Sequence, residues 1–254
     1  MRNRLALALL GLILVLPAVA ADYAALPGGR FASVLPADGK AAPAQIAPFR
    51  LRTEPVTNAE FLAFVKAYPE WRRDRVASIL ADRRYLSHWA GADTLGSEAL
   101  PRQPVTRVSW FAARAYCESE GARLPSWYEW EYAAAADATR RDARSDPAWR
   151  EKLLSWYSRP SSAPLSDVGG APNVYGVRDI TKPVWEWVDD FNALLVASDS
   201  RDQNDPDVLK FCGAGAVSLQ EKENYAVLMR IAMLSALKAA DTTNNMGFRC
   251  AKPE

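Results

Sequence analysis

The ten residues Arg123–Tyr132, RLPSWYEWEY, constrain the fold more than any other stretch. Ser126 and Glu129 form an S-x-x-E capping box, in which each side chain satisfies a backbone N–H left open at a helix start. Trp127, Trp130, Ala133 and Ala134 then recur at i, i+3, i+6 and i+7, which is one face of a helix. The segment therefore predicts a helix packed against a core by its ring face, rather than the wall of a ligand site. The same design occurs earlier: Thr57 and Glu60 form a T-x-x-E box, Phe61, Leu62, Phe64 and Val65 follow at helical spacing, and Pro69 ends the run. A third helix is predicted from the N-cap Ser109, after a short strand in QPVTRV, to about Glu120, with Gly121 as its left-handed stop.

The first 20 residues stand apart. MRNR is basic, the run from Leu5 to Leu16 is apolar, and Ala18 and Ala20 supply the small residues of a cleavage site. This is the pattern of a secretory signal peptide cut after Ala20, the apolar run being shorter than the roughly 20 residues of a membrane span. The mature chain, residues 21–254, is then expected to be exported, periplasmic or secreted, with no membrane span. Export gives meaning to the three cysteines, Cys117, Cys212 and Cys250: an oxidising compartment favours one disulfide and leaves one thiol, in any of three pairings. With 31 Lys and Arg against 30 Asp and Glu, no net charge draws the chain to nucleic acid. Nine tryptophans suggest a loop-rich fold pinned by large rings.

Residues 21–50 are rich in Ala, Pro and Gly and end in the extended segment PFRL. Residues 137–172 read as an insertion holding one surface helix around Trp149, Leu153 and Trp156, followed by a long loop. Trp185 and Trp187 alternate about Glu186 as in a strand, and GFRCA reads as a final strand. Neither a glycine-rich phosphate loop nor a C-x-x-C pair occurs. The one histidine, His88, has no partner at metal or triad spacing and reads as a structural or surface residue. Asp179 and Glu186 bracket ITKPVW, with Asp189 and Asp190 behind; oxygen donors from a short loop suit calcium, though spacing alone favours a solvated acidic turn.

Five segments, in order, resemble the formylglycine-generating enzyme (sulfatase-modifying factor) family: PGGRF, EPVTNAEFLAFV, QPVTRVSWFAARAYCESEGARLPSWYEWEYAAAA, NVYGVRDITKPVWEW and NNMGFRC. The resemblance spans about residues 26–252 and implies a single α+β domain, an irregular, loop-rich variant of the C-type-lectin-like fold. It implies a disulfide between Cys117 and Cys250. It also implies a calcium site with Asp179 and Glu186 as side-chain ligands and Lys182 and Val184 as carbonyl donors. This chain has Lys182-Pro183 where the family has Gly-Asn.

The family's oxidases hold Cu(I) on two active-site cysteines, soft ligands suited to that ion. Here Ser218 lies near the first position and no cysteine lies near the second. The iron-dependent branch uses several histidines, and this chain has one. Copper-dependent formylglycine formation is therefore not expected, and a role for copper or iron is left open. Cys212, Ser218 and Arg230 are the candidate catalytic residues, with Cys212 read as a buried strand thiol or a lone redox or metal-contacting group. Met229 and Met233 flank Arg230 on a helical face.

The tail FCGAGA…ENYAVLMR resembles an exported branch of the family, the NirV-type accessory proteins associated with periplasmic copper nitrite reductase. That resemblance implies an accessory or maturation role with a periplasmic protein client. An enzyme with a remodelled site and a lectin-like binding module are the alternatives.

Overall fold

The structure, a computed structural model, describes residues 21–35, 43–157, 164–182, 184–194 and 225–254. Residues 1–20, expected to be a leader, and Cys212 and Ser218 lie outside these residues.

The chain opens with four short strands, β1 (Tyr23–Leu26), β2 (Gly29–Phe31), β3 (Ala44–Ile46) and β4 (Phe49–Arg52). In β4, Phe49 and Leu51 point into the core and Arg50 to solvent, the period-two alternation of a half-buried strand. It is the centre of a three-stranded antiparallel sheet, between β1 and β7 (Ala251–Pro253). β2 and β3 pair separately. Of these first strands β4 is legible as the extended PFRL and β2 falls in the family-like segment PGGRF, whereas Ala and Pro blur the periodicity of β1 and β3.

Helix α1 (Asn58–Ala67) carries the Thr57–Glu60 box with both of its hydrogen bonds. Pro69 does more than end α1: it opens a 3₁₀ turn, Pro69–Trp71, where its missing N–H is no loss. α2 (Trp110–Ser119) starts at the Ser109 cap, and Gly121 follows it at φ +64°. QPVTRV forms no strand. Pro104 makes one bridge to Thr57, and Val105 donates to the Val56 carbonyl at 2.8 Å.

α3 (Trp127–Ala134) has its Ser126–Glu129 box complete, and Asp190 Oδ1 accepts from the Trp127 N–H at 2.8 Å. Its burial exceeds the single face expected. Glu129, Glu131 and Tyr132 are buried as well as Trp127, Trp130, Ala133 and Ala134. A helix covered nearly all round must satisfy its carboxylates internally. Glu129 pairs with Arg123, and Glu131 accepts from Ser33, from the Val34 N–H at 3.0 Å and from Arg144 at 3.3 Å.

α4 (Pro147–Tyr157) is the insertion helix, seated by a buried Leu153, and it packs against α5 (Tyr225–Ser235). The expected final strand is instead two. β6 (Met246–Gly247) runs parallel to β5 (Trp185–Glu186), and β7 joins the other sheet, with Phe248, Arg249 and Cys250 crossing between. Cys117 of α2 and Cys250 form a disulfide, both wholly buried. In the same core Phe61, Phe64, Tyr116 and Phe248 form a ring cluster, with centroids 5.3–6.0 Å apart in each contact. No helix among the described residues is long and apolar enough to cross a membrane.

Candidate functional site

Glu186 occupies the centre of the candidate region. β5 pairs it with Gly247 and leaves its side chain no exposed surface. Its Oε2 accepts from Trp130 Nε1 and from Arg249 Nε, each at 2.9 Å, and its Oε1 accepts from Arg249 Nη2 at 2.9 Å. Arg249 also donates to the carbonyls of Arg52 (3.1 Å), Thr53 (3.2 Å) and Arg178 (3.0 Å). Two parallel N–H···O bonds from one guanidinium to one carboxylate fix both groups in place. This pair is an internal clamp joining four chain segments, not an acid–base couple.

Arg230, read from sequence as a candidate, comes to the same place. Its guanidinium carbon lies 3.5 Å from the Trp130 ring centroid and 5.9 Å from that of Trp185, and Nη2 donates to the Glu186 carbonyl at 2.7 Å. A desolvated cation over indole gains about 2 kcal/mol. Arg230 is buried and Met233 half-buried, whereas Met229 is 42% exposed, so the two methionines do not form one pocket wall with Arg230. Trp130 also lines a small pocket of about 10 Å³ with Glu131, Arg144, Trp149, Leu153 and Thr181, room for about one water. Burial raises the Glu131 carboxyl above its usual range, against the pull of Ser33, the Val34 N–H and Arg144.

Asp179 follows Arg178, whose carbonyl Arg249 holds, and has a left-handed backbone conformation at φ +57°. Its Oδ2 accepts from the N–H groups of Gly169 (2.9 Å) and Gly170 (3.0 Å), and its Oδ1 faces the Lys182 ammonium at 3.4 Å. Val184 is buried. This donor set does not fit calcium as it stands: each carboxylate already faces a protein cation. A doubly charged ion sharing the Asp179 oxygen with an ammonium about 4 Å away would meet about 8 kcal/mol of repulsion at an effective dielectric near 20.

The soft-metal donors fare no better among the described residues. Cys117 and Cys250 are consumed by their disulfide. Both ring nitrogens of His88 are buried without a hydrogen-bond partner. No group of three or more His, Cys, Asp or Glu is placed to hold a metal among the described residues.

His88 has a measurable consequence of its own. Burial, then the charges of Arg107 and Arg73, push its imidazole down to about 4. The unfolded chain takes up a proton first, so stability is full above about pH 6.5 and falls as pH drops toward about 4. The loss is expected to reach up to about 3 kcal/mol at 1.36 kcal/mol per pKa step. Urea melts of wild type and His88→Leu across that window check it. The variant should show the shallower slope, and parallel slopes would contradict the assignment.

Sequence reasoning missed Arg249, Trp130 and the Glu131–Arg144 pair as parts of the central network. Arg249 stood in the recognised NNMGFRC segment, but nothing local in the sequence names a partner 63 residues away.

Comparison with known proteins now places the chain. The sulfatase-modifying factor enzyme 1-like domain matches residues 17–254. The formylglycine-generating enzyme of Streptomyces coelicolor is 30% identical, over 89% of this chain and 87% of that protein. The inactive C-alpha-formylglycine-generating enzyme 2 of Mus musculus is 29% identical, over 89% and 84%. The crystal structure of CarF shares the fold with a TM-score of 0.50 at 16% identity, over 92% of this chain and 98% of that one. A family match over nearly the whole length, on a loop-rich α+β frame of C-type-lectin-like type, makes this chain a member of the sulfatase-modifying factor (formylglycine-generating enzyme) family.

Proposed function

We propose that this protein is a non-oxidase member of its family, exported and acting as an accessory or maturation factor for a periplasmic metalloenzyme. One observation carries the reading: Cys117 and Cys250 are joined, so at most one of the three cysteines can offer a thiolate. Copper held on a pair of thiolates needs two. A relative whose name marks it as inactive fits a family in which the fold outlives the oxidase chemistry. The leader-like first 20 residues and the tail resembling nitrite-reductase-associated proteins support this reading of compartment and client class.

Two measurements test this. Thiol titration of the denatured, unreduced mature chain should find one thiol. The native, folded chain, loaded with Cu(I) and given a cysteine peptide in air, should form no formylglycine by mass spectrometry. Conversion at the rate of an active family member would favour a remodelled enzyme instead. For the accessory role, deleting the gene should lower the activity and metal content of the host's exported copper enzymes without lowering their protein level. Unchanged activity overturns that role.

A further inference from the structure

We infer that the Lys182 ammonium takes the place of a divalent cation in tying the 179–182 turn to the 169–170 segment. This rests on geometry and stands apart from the accessory reading. The two segments meet at the Asp179 carboxylate. One oxygen is held by the N–H groups of Gly169 and Gly170, and the other faces Lys182 Nζ at 3.4 Å. The turn also closes through the Lys182 N–H on the Asp179 carbonyl at 3.2 Å, which brings the lysine back over its partner. Arg178 Nη1 donates to the Gly170 carbonyl at 2.6 Å, a second tie between the same segments.

The packing is close enough to exclude both occupants at once. A Cβ at Gly170 would collide with Asp179 Oδ1 and sit 2.5 Å from Lys182 Nζ, so glycine is the residue that lets this loop approach. The Asp179 side chain is 7% exposed and the Lys182 side chain 30%. The ammonium also lies 5.9 Å from the Trp156 ring centroid, which brings the insertion helix α4 to the same cation. An ion at Asp179 Oδ1 would have to displace the ammonium against charge repulsion, which is twice as strong for a divalent as for a monovalent ion. The cation here is carried on the chain itself and needs no free metal.

Thermal melts of the full mature chain, in chelator and in millimolar calcium, test the replacement. Wild type should give one melting temperature in both. Lys182→Met, which keeps the stem and removes the charge, should melt about 2–4 °C lower in chelator, as expected for a chain of this size losing about one kcal/mol. Calcium should restore that loss in Lys182→Met, because Asp179 Oδ1 then lacks a cation. Lys182→Arg should behave as wild type, which separates charge from packing. A calcium-dependent rise in wild type would overturn the inference. So would a lowered Lys182→Met that calcium leaves unchanged, since Lys182 would then be an ordinary ion-pair partner and no stand-in for a metal.

Discussion

Glu186→Leu should lose about 3–5 kcal/mol of stability, the range for removing one partner of a buried ion pair. The expected readout is a lower urea midpoint with an unchanged slope. The physical reason lies in what remains. Arg249 has no exposed surface, so among the described residues its guanidinium would be left with the carbonyls of Arg52, Thr53 and Arg178 and no carboxylate. The Trp130 indole N–H would lose its acceptor in the same step. Replacing both Glu186 and Arg249 by leucine should destabilise less than the sum of the single changes, because no uncompensated charge stays buried. It should not reach wild type, since the guanidinium also ties three carbonyls. The exposed pair Arg114–Glu118, one helical turn apart, is the control: breaking it should cost only about 0.3–0.5 kcal/mol. Equal effects at the two pairs would refute the central clamp.

The second large effect is expected from Cys117→Ala with Cys250→Ala. The crosslink spans 133 residues and fastens α2 to the segment leading into β7. Freeing so long a loop in the unfolded chain is worth about 5 kcal/mol on chain entropy alone, with measured losses for native disulfides of about 2–5 kcal/mol. Both cysteines are wholly buried members of the hydrophobic core, so the alanines also leave part of it unfilled. Urea denaturation without reductant reads the loss. Adding reductant should bring wild type toward the variant and leave the variant unchanged, which isolates the crosslink from the packing. A variant as stable as the oxidised wild type would show that the bond contributes nothing.

Arginine and lysine partners show where sequence reading stops. Lys182 was visible as a residue out of place in a recognised loop, but a position does not tell whether its ammonium turns to water or to Asp179. The structure turns it to Asp179, 3.4 Å away. Arg230 stood out only for lying between two methionines. The fold instead sets it on the ring of Trp130, from a helix nearly a hundred residues later in the chain.

What the sequence by itself determined was local. The Thr57–Glu60 and Ser126–Glu129 boxes place the starts of α1 and α3 to the residue, because a capping box closes within four consecutive residues. Gly121 and Pro69 mark helix ends for reasons equally short in range. Only the tertiary structure decided how GFRCA divides between two sheets, why α3 is buried on its carboxylate side, and which cation meets Glu186. Strands of two to four residues draw their hydrogen bonds from partners far along the chain. A buried charge is tolerated only where such distant partners converge.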